Sequence, residues 1–149
     1  MANATELLLH ASRSGDTEDL ARALRAGAEV DVKDSSGMTA LMVAARNGQV
    51  DCLSLLINAG ADLDVADGAG WTAAIWAARN GHVDCLSLLI DARADVDAKD
   101  LDGMTALRRA ADEGHADCVH LIECEIERRA LAAKVPSPAL SRPRSSLRV

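Results

Sequence analysis

Three cysteines, Cys52, Cys85 and Cys118, recur every 33 residues, and two of them follow a histidine at fixed spacing, His82-x-x-Cys85 and His115-x-x-Cys118. Thiolate and imidazole are zinc ligands, so the pattern raises a metal site. A denser group, His115, Cys118, His120 and Cys124, adds a His/Cys pair at i, i+4 on one helix face. Zinc requires four ligands converging on one point, whereas 115 and 118 project to one side of a helix and 120 and 124 to another. Equivalent positions on successive packed helices lie about 8–10 Å apart, beyond the roughly 4.4–6.8 Å Cα separation of a disulfide. Neither a metal nor a disulfide is expected, and the three periodic cysteines are expected to pack as small hydrophobes. The carboxylates Asp62, Asp64, Asp95 and Asp97 could suggest acid/base pairs or calcium, but they recur where the chain turns, and turn geometry favours Asp. Asp67-Gly-Ala-Gly-Trp71 reads as a turn, and no nucleophile elbow or phosphate-cradling loop is present. The expectation is no catalytic residue and no cofactor.

These residues must be positioned by the repeat itself. Gly37, Gly70 and Gly103 share the period of 33, as do Thr39, Thr72 and Thr105 and the pairs Ala44-Ala45, Ala77-Ala78 and Ala110-Ala111. Residues 34–66 and 67–99 are identical at 21 of 33 positions. Each unit reads as a turn, a short helix, a second turn, a longer helix and an extended segment. The threonine caps the first helix, Gly48 and its equivalents end it, and Leu53, Leu56 and Ile57 form the apolar stripe of the second. One such unit cannot bury its own apolar face, so stacked neighbours must share a core.

Composition agrees. Ala occurs 29 times and Leu 19 times in 149 residues, Phe and Tyr are absent, and Trp71 and Trp76 are the only aromatics. Such a chain favours closely packed helices over β-sandwiches or barrels. The net charge is −7, and it is unevenly spread: 10 basic and 23 acidic side chains through residue 127, then six basic and none acidic. The acidic body argues against nucleic acid as a partner. No apolar run approaches the ~20 residues of a membrane span, and the N-terminus lacks the pattern of a secretory signal, so no membrane association is expected. A reducing compartment, cytoplasmic or nuclear, is the expected setting. The last 15 residues hold all three prolines and read as a disordered basic tail.

The motifs Asp34-Ser-Ser-Gly-Met-Thr-Ala-Leu-Met-Val-Ala-Ala-Arg-Asn-Gly48 and Leu55-Leu-Ile-Asn-Ala-Gly-Ala-Asp-Leu-Asp64 resemble the two halves of the ankyrin repeat. The resemblance covers residues 34–123 in three units, with a weaker copy upstream carried by Leu8, Gly15, Leu20, Leu24 and Gly27-Ala28-Glu29-Val30-Asp31. It implies an all-α solenoid: residues 1–33 as a degenerate N-terminal cap, 34–66 and 67–99 as inner repeats, 100–134 as a C-terminal cap with an extended helix, and 135–149 as the tail. The periodic cysteines fall where the family has Ile or Val. Departures from the family pattern are the lost Pro and His after each capping threonine, and Arg93 where a helix-ending glycine is usual. Arg109 and Glu123 replace apolar residues of the inner repeats and predict a polar outer face on the last unit. The last helix is expected to continue past Glu123, with a Glu125/Arg129 pair, and to stop before Pro136.

Carried over position by position, the family's concave surface implies partner-binding residues Met38, Arg46, Asn47, Trp71, Arg79, Asn80, Leu101, Asp102, Met104, Asp112 and Glu113. Met38, Trp71 and Met104 would form one stripe suited to a protein partner. Trp76, beside Ala74 where the other units have Leu41 and Leu107, is expected to fill that volume as core. The implied function is a non-catalytic, monomeric protein-interaction module. Alternatives are a kinase inhibitor of ankyrin type or an adaptor regulated through the basic tail.

Overall fold

The computed structural model describes residues 4–134, so the tail expected over 135–149 lies outside the described residues. Eight helices occur among them: α1 (Ala4–Ser14), α2 (Thr17–Arg25), α3 (Ala40–Asn47), α4 (Val50–Asn58), α5 (Ala73–Arg79), α6 (Val83–Asp91), α7 (Ala106–Asp112) and α8 (Ala116–Lys134). They form four antiparallel pairs. The first helices α1, α3, α5 and α7 stack in one layer and the second helices in another, each pair touching its neighbours.

Local chemistry sets the helix starts. The hydroxyls of Thr39, Thr72 and Thr105 accept at 3.3 Å from the amides of Met42, Ile75 and Arg108, as the capping pattern predicts. Before each cap, one aspartate builds a tight hairpin: Asp34, Asp67 and Asp100 accept through Oδ1 from the amides two and four residues on, at 2.8–3.0 Å. Adjacent hairpins approach closely enough for the Leu101 amide to donate to the Ala69 carbonyl at 3.1 Å. The acidic turns behave similarly, with Asp31 and Asp64 accepting from the amides of Asp62 and Asp95 one unit on. Asp62 and Asp95 also accept through Oδ1 from the amides two residues on, those of Asp64 and Asp97, at 3.1 and 2.9 Å, which is the turn role expected of them.

Small side chains let the layers close. Ala44, Ala45, Ala77, Ala78 and Ala110 are fully buried between Leu41, Leu53, Leu56, Ile75, Leu86, Leu89 and Ile122. Side chains also staple successive units through backbone carbonyls. Gln49 and Asn47 donate to the Arg13 carbonyl, and Asn80 and His82 Nε2 to that of Arg46, the last two at 3.0 Å.

Arg93 takes φ +76°, the left-handed conformation that a glycine would otherwise supply. The helix therefore ends on schedule despite the wrong residue. Helix α8 runs on to Lys134, as expected, and its added turns are tied back to that corner. Glu125 is buried and pairs with both Arg128 and Arg129, and Arg129 donates to the Ala94 carbonyl at 3.0 Å.

Gly48 shows what the staples demand. Its φ is +72°, and a Cβ there would lie 2.8 Å from the His82 ring that holds the Arg46 carbonyl. At Gly60, with φ +88°, a Cβ would meet nothing. Gly60→Ala should therefore lose only the backbone term of about 1–2 kcal/mol. Gly48→Ala should lose clearly more in urea titration, because it also displaces His82.

Candidate functional site

The hairpin aspartates use one oxygen for the turn, and Oδ2 remains for whatever stands nine residues on. In the first of these units that residue is Val43, which offers no donor. In the next it is Trp76, whose Nε1 donates to Asp67 Oδ2 at 2.9 Å. In the last it is Arg109, whose Nε and Nη2 reach Asp100 Oδ2 at 2.9 and 2.6 Å, while Nη2 also meets Asp102 at 3.1 Å. One backbone geometry thus presents an indole in one repeat and a guanidinium in the next.

These two groups meet over Trp71. The two indole centroids are 4.5 Å apart and the rings are tilted by 56°. The Arg109 guanidinium lies 4.9 Å from the Trp71 centroid and that of Arg79 5.2 Å, while Arg46 sits 5.3 Å from the Trp76 centroid. Each such contact adds about 0.5–1 kcal/mol where water reaches it. The result is a ladder of cations and aromatics running along the hairpin side across three units.

Several expectations need correction. Trp76 is half-buried rather than core: it packs against the edge of the core with its Nε1 turned to the Asp67 carboxylate. Arg109 does not make a polar outer face. It points to the hairpins, where the fully buried carboxylate of Asp100 claims it. Met38 is 5% exposed and lies under Arg46, with 4.0 Å between Sδ and Nη1, so the proposed stripe of Met38, Trp71 and Met104 is not continuous at the surface. Trp71 and Met104 are half-buried. Asn47 and Asn80 face the preceding unit as staples. Arg46, Leu101, Asp102, Asp112 and Glu113 are exposed, Leu101 at 78%, and Arg79 is half-buried on Trp71.

Asp67, Asp100, Arg109 and Trp76 were missed as members of the site. The signal was in the sequence: a side-chain donor nine residues after the aspartate of Asp-x-x-Gly.

Electrostatics keep the pairs ionised. Burial pushes the Asp100 carboxyl up, but the Met104 amide, the Arg109 guanidinium and the Asp102 amide together hold it below the usual carboxylate value. Glu125 is likewise pushed up by burial and pulled below its usual value by Arg128 and Arg129. Cys52, Cys85 and Cys118 are buried, as expected, and burial with Asp84 nearby pushes the Cys85 thiol up to about 11. Cys124 is exposed, 3.6 Å from His120. On the opposite side of the array, a groove of about 530 Å³ opens between α2 and α4, lined by Glu18, Arg22, Asp51 and Ser54. No described helix is long and apolar enough to cross a membrane.

A family model for ankyrin repeats, in three copies, matches residues 7–100 and 59–130. A search of curated proteins gave no match.

Two predictions follow from the ionised and buried groups. A carboxyl whose folded pKa is depressed stabilises fully above its unfolded value, about 3.9 for Asp and 4.3 for Glu, and loses that contribution as pH falls through the folded one. Stability by urea titration should therefore drop below about pH 4, and the Asp100→Asn/Glu125→Gln variant, weaker at pH 7, should show a smaller drop. In native protein, Cys124 should react with a thiol reagent at least tenfold faster than the other three, whose thiolates are scarce and enclosed. Mass mapping of the labelled peptides reads this directly.

Proposed function

The chain belongs to the ankyrin-repeat family, whose arrays are generally protein-interaction modules and typically non-catalytic, and we propose that it is a non-catalytic, monomeric binding module of the cytoplasm or nucleus. Its partner docks on the hairpin side, over Trp71, Trp76 and the tip residue Leu101. The observation that carries this reading is the placement of both tryptophans. In a chain with no other Phe, Tyr or Trp, both lie half-exposed against each other on one face, Trp76 held by the Asp67 carboxylate and each indole stacked by an arginine of a neighbouring repeat. Fixed, partly desolvated indoles lose little entropy on docking and are frequent centres of binding energy. Leu101 adds a large apolar side chain at a hairpin tip beside them. The groove between α2 and α4 has no comparable anchor: six of its eight lining residues are polar or charged, and none is aromatic.

Affinity purification with the full chain tests this. Trp71→Ala and Trp76→Ala should each lose tenfold or more of the recovered partner, since an anchor of this type is worth about 2 kcal/mol or more. Trp76→Ala should also lose about 2 kcal/mol of stability, less than a fully buried indole would. Ser54→Arg, in the opposite groove, should retain the partner. Recovery by the two tryptophan variants equal to that of the unaltered chain, or loss only with Ser54→Arg, would overturn the reading.

A further inference from the structure

Resting on that surface as the binding face, we propose that its occupant is an extended acidic peptide segment carrying carboxylates at i and i+3, with an apolar residue over the tryptophans. Arg13, Arg46 and Arg79 hold the same position in the last turns of α1, α3 and α5. None has a carboxylate partner among the described residues, although 23 acidic side chains occupy the chain. Arg109 is the contrast, for its charge is consumed by Asp100 and Asp102. Arg46 and Arg79 are therefore a pair of open cations at the two ends of one indole pair.

Stacking is what makes them selective. A guanidinium lying on a ring has one face shielded from water while its N–H edges stay free, and that edge matches a carboxylate bidentately. The row is not a requirement of helix ends. Cations favour the C-terminal turn of any helix, yet α7 meets that preference with Arg109 and carries Asp112 at the place equivalent to Arg46 and Arg79, followed by Glu113. The face therefore has a direction, cationic over three units and acidic at the fourth.

Spacing sets the motif. Packed helices repeat at about 8–10 Å, and a peptide extended in the polyproline II conformation advances about 3.1 Å per residue with three residues per turn, so side chains three residues apart share the face that successive arginines meet. Arg46 and Arg79 take the carboxylates, and Arg13 takes a third at i+6 or i−3. The peptide carries no acid where it passes Asp102, Asp112 and Glu113. A nucleic acid strand could also stack on indoles, but its unbroken charge would run into that acidic end.

The probe is a displayed library of random 12-residue peptides, panned on the full chain and on the R46E/R79E variant, with selected peptides then remade and measured by fluorescence anisotropy. Selected sequences should hold Asp or Glu at i and i+3 and bind R46E/R79E at least tenfold more weakly, with affinity falling as salt rises. Exchanging the two acids for Lys should restore binding to R46E/R79E. Circular dichroism and a urea titration check that this variant stays folded. Selection without acidic bias, equal binding to both chains, or no binder at all overturns the proposal. Acid-free peptides that still need Trp71 would leave the docking face standing, whereas peptides indifferent to Trp71→Ala would remove both. Tighter binding of an oligouridine strand than of any selected peptide would also overturn it.

Discussion

Every unit of this array lacks a core of its own, and the fully buried alanines of the first-layer helices are what allow neighbours to supply one. With no side chain beyond a methyl at Ala44, Ala45, Ala77, Ala78 and Ala110, the first-layer helices close to within reach of each other's termini. That approach permits Asn80 and His82 to grasp the Arg46 carbonyl and brings the Leu101 amide to the Ala69 carbonyl. Larger residues there would hold the helices apart and leave those polar groups unpaired. Stability is thus shared between nearest neighbours and cannot be assigned to single repeats.

The proposed binding face depends on the same closeness. Trp71 and Trp76 belong to one unit, Arg109 to the helix of the next and Arg46 to that of the one before, yet both arginines lie on this one aromatic pair. The buried Asp100 carboxylate anchors this side of the array. Two amides and a guanidinium satisfy it, so removing Arg109 would leave a buried charge less than fully compensated, a loss of about 3 kcal/mol. Fold and surface are coupled at that residue, and Arg109 is better understood as a positioning group than as a contact for the partner.

Much of this was legible beforehand because a repeat is its own alignment. The period of 33, the capping threonines, the buried cysteines and the extended last helix all follow from residue type and spacing. The site was less legible, for a definite reason. Reading Trp76 by the volume it could fill, and Arg109 as a polar replacement on an outer face, left out the hairpin. Their fate is decided by an oxygen nine residues earlier, which the turn leaves free to accept. Where the side chain has a donor it swings toward the hairpin, and where it has none, as at Val43, it stays buried. Met38 failed in the opposite sense, because a long arginine covers it.

The central claim is that a partner meets the hairpin side through the indole pair, and site-directed photo-cross-linking tests it most directly. A benzophenone amino acid placed at Leu101, on the hairpin tip, and separately at Ser54, in the opposite groove, reports which face the bound partner touches. The account predicts a discrete adduct from position 101 that disappears when Trp71→Ala is added, and none from position 54. An adduct from position 54 with none from 101 would contradict it.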